Sequence, residues 1–257
     1  MMPTSLSGNI TLALALFAVC GLATTAAPAS AKSRRADNTP KGFLLKTIQW
    51  QGTTYRYLVY VPADYTRDHP WPTILFLHGS GECGTDGLKP LGVGIGTHIM
   101  RHAERWPFLV IIPQKPEVRD TWAQYDDLLM AMLKKTEREY RVDTTRLYLT
   151  GLSQGGFGTW ALAAKHPDLF AAAAPICGIG DPNQASELAK IPLWVFHGAA
   201  DPVVSPEADQ KTVDAVKAAG GDIQFTLYPG VGHDSWDNAY DDPNLPQWFL
   251  QHQRPAK

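Results

Sequence analysis

A serine flanked by glycines is the first feature of the sequence that could carry chemistry. Ser153 lies in the segment 151–155 (G-L-S-Q-G), between an apolar run at 146–150 and an Ala-rich run at 154–165. A G-x-S-x-G segment between a strand and a helix places its serine at the tip of a tight turn. The helix that follows directs its N-terminal amides towards any negative charge forming beside the serine. We therefore predict that Ser153 is a nucleophile.

A serine hydroxyl needs a base that takes its proton and an acid that orients the base. On this kind of turn the acid and the histidine follow the serine in that order along the chain. Asp201 ends the segment 196–201 (F-H-G-A-A-D), and His233 ends the glycine-rich segment 228–233 (Y-P-G-V-G-H). Each segment comes just after an apolar run. We therefore expect both side chains at the carboxyl edge of a sheet, together with Ser153.

The rest of the chain must supply that sheet, and apolar runs do alternate with amphipathic ones. This order is typical of an α/β protein with a mostly parallel central sheet and helices on both faces. Residues 44–50 and 55–61 alternate as in a hairpin that turns at Gly52. The other predicted strands span 73–77, 108–112, 146–150, 171–176, 193–196 and 223–228, and the predicted helices span 126–140, 154–165, 206–219 and 244–253. No repeat or long linker divides residues 42–257, which we expect to form one domain.

The N-terminal residues 1–31 contain no Asp, Glu, Lys or Arg. An apolar run at 10–22 precedes Ala29-Ser30-Ala31, which is the pattern of a secretory signal peptide. That run is shorter than the roughly 20 residues that span a bilayer. We expect cleavage after Ala31, then a flexible segment at 32–41, and a secreted or periplasmic protein. A retained anchor is the alternative, whereas lipidation at Cys20 is disfavoured because bulky Val19 precedes it.

Composition excludes several classes of protein. The 257 residues are 44% hydrophobic and 19% charged, which excludes a disordered or coiled-coil chain. A net charge of -2 offers no basic surface for nucleic acid or for an anionic membrane. Without the signal, Cys83 and Cys177 remain; we favour two buried free thiols over a disulfide. These features do not specify the oligomeric state.

A fourth segment completes a recognisable set. Residues 78–81 (H-G-S-G) follow a predicted strand, and with the Ser153 turn and the Asp201 and His233 loops the chain resembles α/β-hydrolase superfamily serine esterases. The resemblance is to dienelactone-hydrolase-like and polyhydroxybutyrate-depolymerase-like secreted carboxylesterases, including feruloyl-type esterases, and covers the region from the paired N-terminal strands through His233. It implies the α/β-hydrolase fold, with Ser153 as nucleophile, Asp201 as acid and His233 as general base. Close relatives often read G-E-R-G where residues 81–84 read G-E-C-G, so the loop contacts of Cys83 should differ.

The resemblance also implies an oxyanion hole made of backbone amides. Gln154, which follows the nucleophile, should supply one amide, and Ser80 is the better candidate for the second, with Gly81 next. Trp122 and Trp236 fall on predicted loops near the same edge. Each could form a wall of the substrate site or could serve ordinary packing.

Several other polar residues could compete for these roles. Asp181 also follows a predicted strand and is an alternative acid, but the H-G-x-x-D setting of Asp201 matches the family. Asp234 should face the loop surface. His78 and His197 precede glycines at strand ends, where we expect structural side chains bonded to nearby backbone. A metal site at His98 and His102 lacks a carboxylate signature, so a solvated helix face is the expectation and we predict neither a metal nor an organic cofactor.

The implied function is hydrolysis of carboxylic esters through an acyl-enzyme. Only a short segment separates Ile176 from Ile191, so no cap domain should cover the site, and small-molecule or polymer-linked esters could enter. A serine peptidase of the prolyl-oligopeptidase type is one alternative, although such enzymes usually carry a gating propeller domain. A non-catalytic binding protein on a hydrolase scaffold is the other. The ester itself is not specified by the sequence.

Overall fold

The computed structural model describes residues 38–255, whose strands form one eight-stranded sheet. The predicted signal at 1–31 and most of the predicted flexible segment at 32–41 lie outside the described residues. The strands are β1 (Gly42–Trp50), β2 (Thr53–Val61), β3 (Trp71–Leu77), β4 (Leu109–Pro113), β5 (Val142–Leu152), β6 (Ala172–Ile176), β7 (Leu193–Gly198) and β8 (Ile223–Tyr228). The helices are α1 (Ile95–Arg101), α2 (Asp126–Glu139), α3 (Gln154–Lys165), α4 (Ala185–Leu188), α5 (Pro206–Ala218), α6 (Trp236–Asp241) and α7 (Asn244–Gln251).

The strand order is β1-β2-β4-β3-β5-β6-β7-β8. β2 pairs antiparallel with β1 and β4, and every pair from β4 to β8 is parallel. The predicted hairpin and the predicted mostly parallel sheet are therefore confirmed. The chain moves from β3 outwards to β4 and then returns to the other side of β3 to form β5. Such a reversal leaves a crevice at the carboxyl ends of the two strands, where ligands bind in open α/β sheets.

The core has two parts, one on each face of the sheet. Leu75 and Leu77 of β3 face the cluster that contains apolar residues of α2, α3 and α5, while Ile74 and Phe76 face the cluster that contains those of α1, α6 and α7. Alternation of side chains along each strand divides them in this way. All seven residues of β3 are buried, as expected for a central strand covered on both faces.

Several elements differ from the sequence expectations. β5 runs from Val142 to Leu152 rather than over 146–150, because pairing with both β3 and β6 extends it to the turn. Trp236 was expected on a loop but begins helix α6, and Trp122 begins a 3-10 turn that ends at Tyr125. Short segments of this kind carry too few residues to show a helical period.

The segment 177–192 between β6 and β7 holds one 3-10 turn and the four-residue helix α4. No cap domain is therefore inserted at this point, as the short spacing predicted. Within residues 38–255, no helix combines the length and apolar character that crossing a bilayer requires.

We expect the central strands to dominate stability. Ile111 on β4 is fully buried between the helical layers, whereas Leu45 on the edge strand is 49% exposed. Ile111→Ala should lower the free energy of unfolding by about 2–5 kcal/mol, because it removes buried methyl groups and leaves a cavity. Leu45→Ala is the matched control and should change it by under about 1 kcal/mol. Urea unfolding midpoints measure both; equal losses would contradict the assignment of the core.

Candidate active site

The turn between β5 and α3 holds Ser153 in a strained conformation. Its φ is +54° and its ψ is -119°, a region that costs about 1–3 kcal/mol for a non-glycine residue. Small neighbours make this turn possible: a Cβ at Gly155 would lie 1.9 Å from the carbonyl oxygen of Leu77, and one at Gly151 would lie 2.5 Å from that of Gly155. The hydroxyl of Ser153 does not cap α3, so it remains available for another partner.

The backbone of Ser153 is held from beneath by the end of β6. Its N–H donates to the carbonyl of Ile176 at 3.0 Å and lies 3.3 Å from the sulfur of Cys177. Cys177 is fully buried and has a φ of +41°. Burial raises the pKa of its thiol to about 12, so the thiol stays protonated. Cys177 therefore supports the serine rather than competing with it.

Three residues from separate segments meet above this turn. His233 Nε2 lies 2.9 Å from Ser153 Oγ, and His233 Nδ1 lies 2.7 Å from Asp201 Oδ2. Asp201 follows β7 and His233 follows β8, so parallel strands deliver both to the edge where Ser153 lies. In this arrangement the imidazole of His233 can take a proton from the Ser153 hydroxyl, and the carboxylate of Asp201 can hold the imidazole in one orientation.

Asp201 is placed to remain ionised. Its side chain has no exposed surface, while that of His233 is 20% exposed. Burial raises the pKa of Asp201, but hydrogen bonds from His233 and from the amides of Val204 and Val203 outweigh it and hold the pKa below its usual range. The carboxylate thus has donors on both oxygens.

The H-G-S-G segment passes directly beside the serine. A Cβ at Gly79 would lie 3.5 Å from Ser153 Cβ, and Ser80 then opens a 3-10 turn. No backbone carbonyl of residues 38–255 accepts a bond from the N–H of Ser80 or Gln154. Both amides are therefore available as donors. Burial raises the pKa of Glu82 in the same turn, although hydrogen bonds from the amides of Gly79 and of Glu82 itself oppose the shift.

His78 and Trp122 hold the H-G-S-G segment from behind. His78 is fully buried, and its Nε2 accepts from the amide of Lys115 at 3.2 Å. Burial lowers the pKa of His78 to about 4, which keeps its ring neutral and confirms a structural side chain bonded to nearby backbone. Trp122 is 2% exposed, and its indole N–H donates to the His78 carbonyl at 3.0 Å. Cys83, which stands where close relatives often have arginine, also has a partner. The ammonium of Lys115 donates to its sulfur at 3.3 Å.

Aromatic rings flank the line of three residues. Trp236 is partly buried, and its ring meets the His233 ring edge-on with centroids 5.5 Å apart. A cavity of about 440 Å³ lies beside the first turns of α3, lined by Gln154 and by the rings of Trp122, Phe157 and Trp160. Trp122 thus serves both packing and the cavity wall, and Trp236 contacts the imidazole.

Other candidate residues lie elsewhere. Asp181 is exposed and accepts from the amide of Asn183, and Asp234 is also exposed. The expected solvated face is wrong for His98, which is 2% exposed because its ring packs inwards and bonds the carbonyl of Gly94. His102 lies just past the end of α1 and is partly buried. No three His, Cys, Asp or Glu side chains in the described part of the chain are grouped to hold a metal ion. Cys83 and Cys177 are free and buried, as predicted.

Three residues of the site were missed by reasoning from the sequence. Asp209 is a fully buried carboxylate on α5, and its one signal is a charge in register with the apolar positions Val213 and Val216. Phe157 is an exposed aromatic residue in the first turn of an Ala-rich helix. Cys177 gave no signal, since its contact with Ser153 depends on the positions of two strands.

Comparison with known proteins places this arrangement in a family. Residues 112–242 match the profile of the Dienelactone hydrolase family. Feruloyl esterase B of Neurospora crassa is 30% identical over 139 residues, which cover 49% of this chain and 45% of that protein. Poly(3-hydroxyalkanoate) depolymerase C of Paucimonas lemoignei is 26% identical over 210 residues, covering 62% of this chain and 45% of that one. The chain thus spans less than half the length of these two curated relatives.

Solved structures agree on the fold. A thermostable esterase superimposes with a TM-score of 0.74 and 32% identity, covering 82% of this chain and 63% of its own. A feruloyl esterase module from Clostridium thermocellum, solved with sinapinate, gives a TM-score of 0.68 at 16% identity and covers 84% of this chain and 90% of its own. The predicted α/β-hydrolase fold is confirmed.

The contact between α3 and β3 can be tested with one methyl group. Gly155→Ala should force α3 away from the carbonyl of Leu77, lowering the unfolding free energy by about 3 kcal/mol and displacing Ser153. Gly92→Ala is the control, because its added Cβ meets nothing within 4 Å and its backbone is not left-handed. Thermal unfolding and labelling by a fluorophosphonate probe report the two effects. Wild-type values for Gly155→Ala would refute the close approach.

Proposed function

Because the chain belongs to the dienelactone hydrolase family, we propose that it is a serine hydrolase of carboxylic esters. One observation carries the proposal: Ser153, His233 and Asp201 form a continuous hydrogen-bonded line with distances of 2.9 and 2.7 Å. In this proposal Ser153 is the nucleophile, His233 the general base and Asp201 the acid that orients it. The amides of Ser80 and Gln154, which donate to no backbone carbonyl in the described part of the chain, support an oxyanion hole beside the serine.

The reaction proceeds in two halves. His233 Nε2 takes the hydroxyl proton as Ser153 Oγ attacks the ester carbonyl, and the amides of Ser80 and Gln154 bind the oxyanion. His233 then gives that proton to the leaving alcohol as the ester C–O bond breaks. Water attacks the acyl-enzyme in the same way and releases the acid and the free serine. Asp201 keeps Nδ1 protonated, so Nε2 is the nitrogen that exchanges the proton.

The cavity beside α3 supports an aryl acyl group as the preferred substrate. Its three aromatic walls, Trp122, Phe157 and Trp160, suit a flat ring, and its volume of about 440 Å³ exceeds the needs of an acetyl group. The side-chain oxygen of Gln154 is buried and has no hydrogen-bond partner among residues 38–255, so it could accept a hydrogen bond from a ring hydroxyl. Among the relatives, the feruloyl esterases are named for an ester of this chemical kind.

The export pattern of residues 1–31 supports action outside the cytoplasm. Several relatives are named for polymer-linked esters, including an acetylxylan esterase and the poly(3-hydroxyalkanoate) depolymerase. The absence of a cap between β6 and β7 is consistent with access by such large substrates. We therefore include polymer-linked aryl esters in the proposed substrate class.

Removal of the nucleophile tests the reaction. Ser153→Ala should abolish hydrolysis of p-nitrophenyl acetate and butyrate, lowering kcat by about 10⁴-fold or more, since no covalent intermediate can form. The variant should keep the far-UV circular dichroism and unfolding midpoint of the wild type, because the hydroxyl does not cap α3. Turnover at the wild-type rate by the folded variant would disprove the proposal.

Substitution in the cavity tests the substrate class. Phe157→Ala should lower kcat/KM for methyl ferulate by about tenfold, because the ring loses roughly 1–2 kcal/mol of apolar contact. Hydrolysis of p-nitrophenyl acetate should change less than about twofold, as an acetyl group is too small to fill the cavity. Leu227→Ala removes an apolar side chain of similar exposure on β8 and is the matched control. An equal loss with both substrates would argue against an aryl site.

A further inference from the structure

A second histidine lies directly behind the acid of the proposed triad. His197, near the end of β7, is fully buried. Its Nε2 lies 3.2 Å from Asp201 Oδ2, the oxygen that also bonds His233, and 3.1 Å from the carbonyl oxygen of Val204. The expectation that His197 bonds only nearby backbone is therefore incomplete, because the ring also contacts the carboxylate of the active site.

The other face of His197 meets a second carboxylate. Asp209 on α5 is fully buried, and its Oδ2 lies 2.8 Å from His197 Nδ1. Its Oδ1 accepts from the indole N–H of Trp160 on α3 at 3.2 Å. A single line of polar contacts thus runs from Trp160 through Asp209, His197 and Asp201 towards the nucleophile.

Geometry determines where the protons of His197 lie. Nε2 faces a carbonyl and a carboxylate, and Nδ1 faces a carboxylate, so every neighbour of the ring is an acceptor. A ring with acceptors at both nitrogens is satisfied as an imidazolium. The buried set of Asp201, His197 and Asp209 then carries one net negative charge, as a lone Asp201 would.

Other titratable groups surround this set. The negative charges of Asp201 and Asp209 both act on the Cys177 thiol at the end of β6, Glu207 on α5 is exposed, and His233 bonds Asp201. Burial lowers the pKa of His197, but the hydrogen bond and charge of Asp209 outweigh it and the net direction is upwards. Burial also raises the pKa of Asp209, to about 6, although His197 opposes this. Above that pH Asp209 is a carboxylate, which places a negative charge 2.8 Å from His197 Nδ1.

We propose that His197, oriented by Asp209, is a positioning residue of the site: it holds the Asp201 carboxylate against His233 and supplies a fixed positive charge behind the triad. The inference rests on the proposed function, since it gives His197 a part in the same reaction. His197 touches neither substrate nor nucleophile and acts through Asp201. The fixed charge offsets one of two buried carboxylates, so that His233 faces the net field of a single anion.

Two variants separate this role from a structural one. His197→Gln keeps a donor for the Val204 carbonyl but removes the charge. The carboxylates of Asp201 and Asp209 then favour protonation of His233. The acid limb of Ser153 labelling by a fluorophosphonate probe, which is the fall of the labelling rate towards low pH, should therefore move up by about one pH unit. In the double variant His197→Gln with Asp209→Asn, one carboxylate remains and the limb should return close to its wild-type position. In both variants the labelling rate at the optimal pH should be about tenfold lower than in the wild type, because Asp201 has lost a charged donor.

Controls decide between the outcomes. His98→Gln removes another buried histidine bonded to a carbonyl and should lower Tm without moving the acid limb. The positioning role would be overturned if the acid limb of His197→Gln lay at the wild-type pH. It would also be overturned if the acid limb of the double variant lay at the same pH as that of His197→Gln.

¹⁵N NMR of histidine-labelled protein gives a readout that needs no turnover. His197 should show two protonated ring nitrogens from about pH 6 to pH 8, and His233 should titrate at higher pH in His197→Gln. A bare nitrogen on His197 at neutral pH would overturn the fixed charge. A wild-type protein that the probe does not label would instead refute the proposed function, while the NMR titrations still decide the role of His197.

Discussion

The site depends on the close approach of helix α3 to the carboxyl end of β3. A side chain at Gly155 would collide with the carbonyl of Leu77 at 1.9 Å, so only glycine lets the helix start this close to the sheet. The approach forces Ser153 into its left-handed conformation, in which its hydroxyl bonds His233 and its Cβ lies beside Gly79 of the H-G-S-G segment. The strain at Ser153 persists because hydrogen bonds to the end of β6 hold its backbone in place.

Burial increases along the line of polar residues that leads away from the serine. The His233 side chain is 20% exposed, whereas those of Asp201, His197 and Asp209 have no exposed surface. Water can therefore reach the proton-transfer end and not the carboxylates behind it. In that low-dielectric region each charge needs a partner, and the alternation of carboxylate, imidazole and carboxylate supplies one. The same contacts connect β7, α5 and α3, so the proposed chemistry and the packing of the domain share their atoms.

The regular elements were predictable because their residues repeat over several turns or along whole strands. The α3 and β8 boundaries agree with the sequence pattern, and the α2 and α5 boundaries differ by one residue. Short elements were not predictable: α6 has six residues and begins at Trp236, which was expected on a loop. His98 shows the other limit, since a helical spacing does not say which face of α1 packs against the sheet.

The order and chemical type of residues were enough to indicate an α/β sheet and to select Ser153, Asp201 and His233, because each follows a strand and parallel strands end at a common edge. Their hydrogen-bond distances depended on the register of the strands. The contact of Cys177 with the serine, the aromatic cavity beside α3 and the pairing of His197 with Asp209 emerged only in three dimensions. The physical reason is that these contacts join residues far apart in the chain, and a local pattern carries no information about which distant side chain lies opposite.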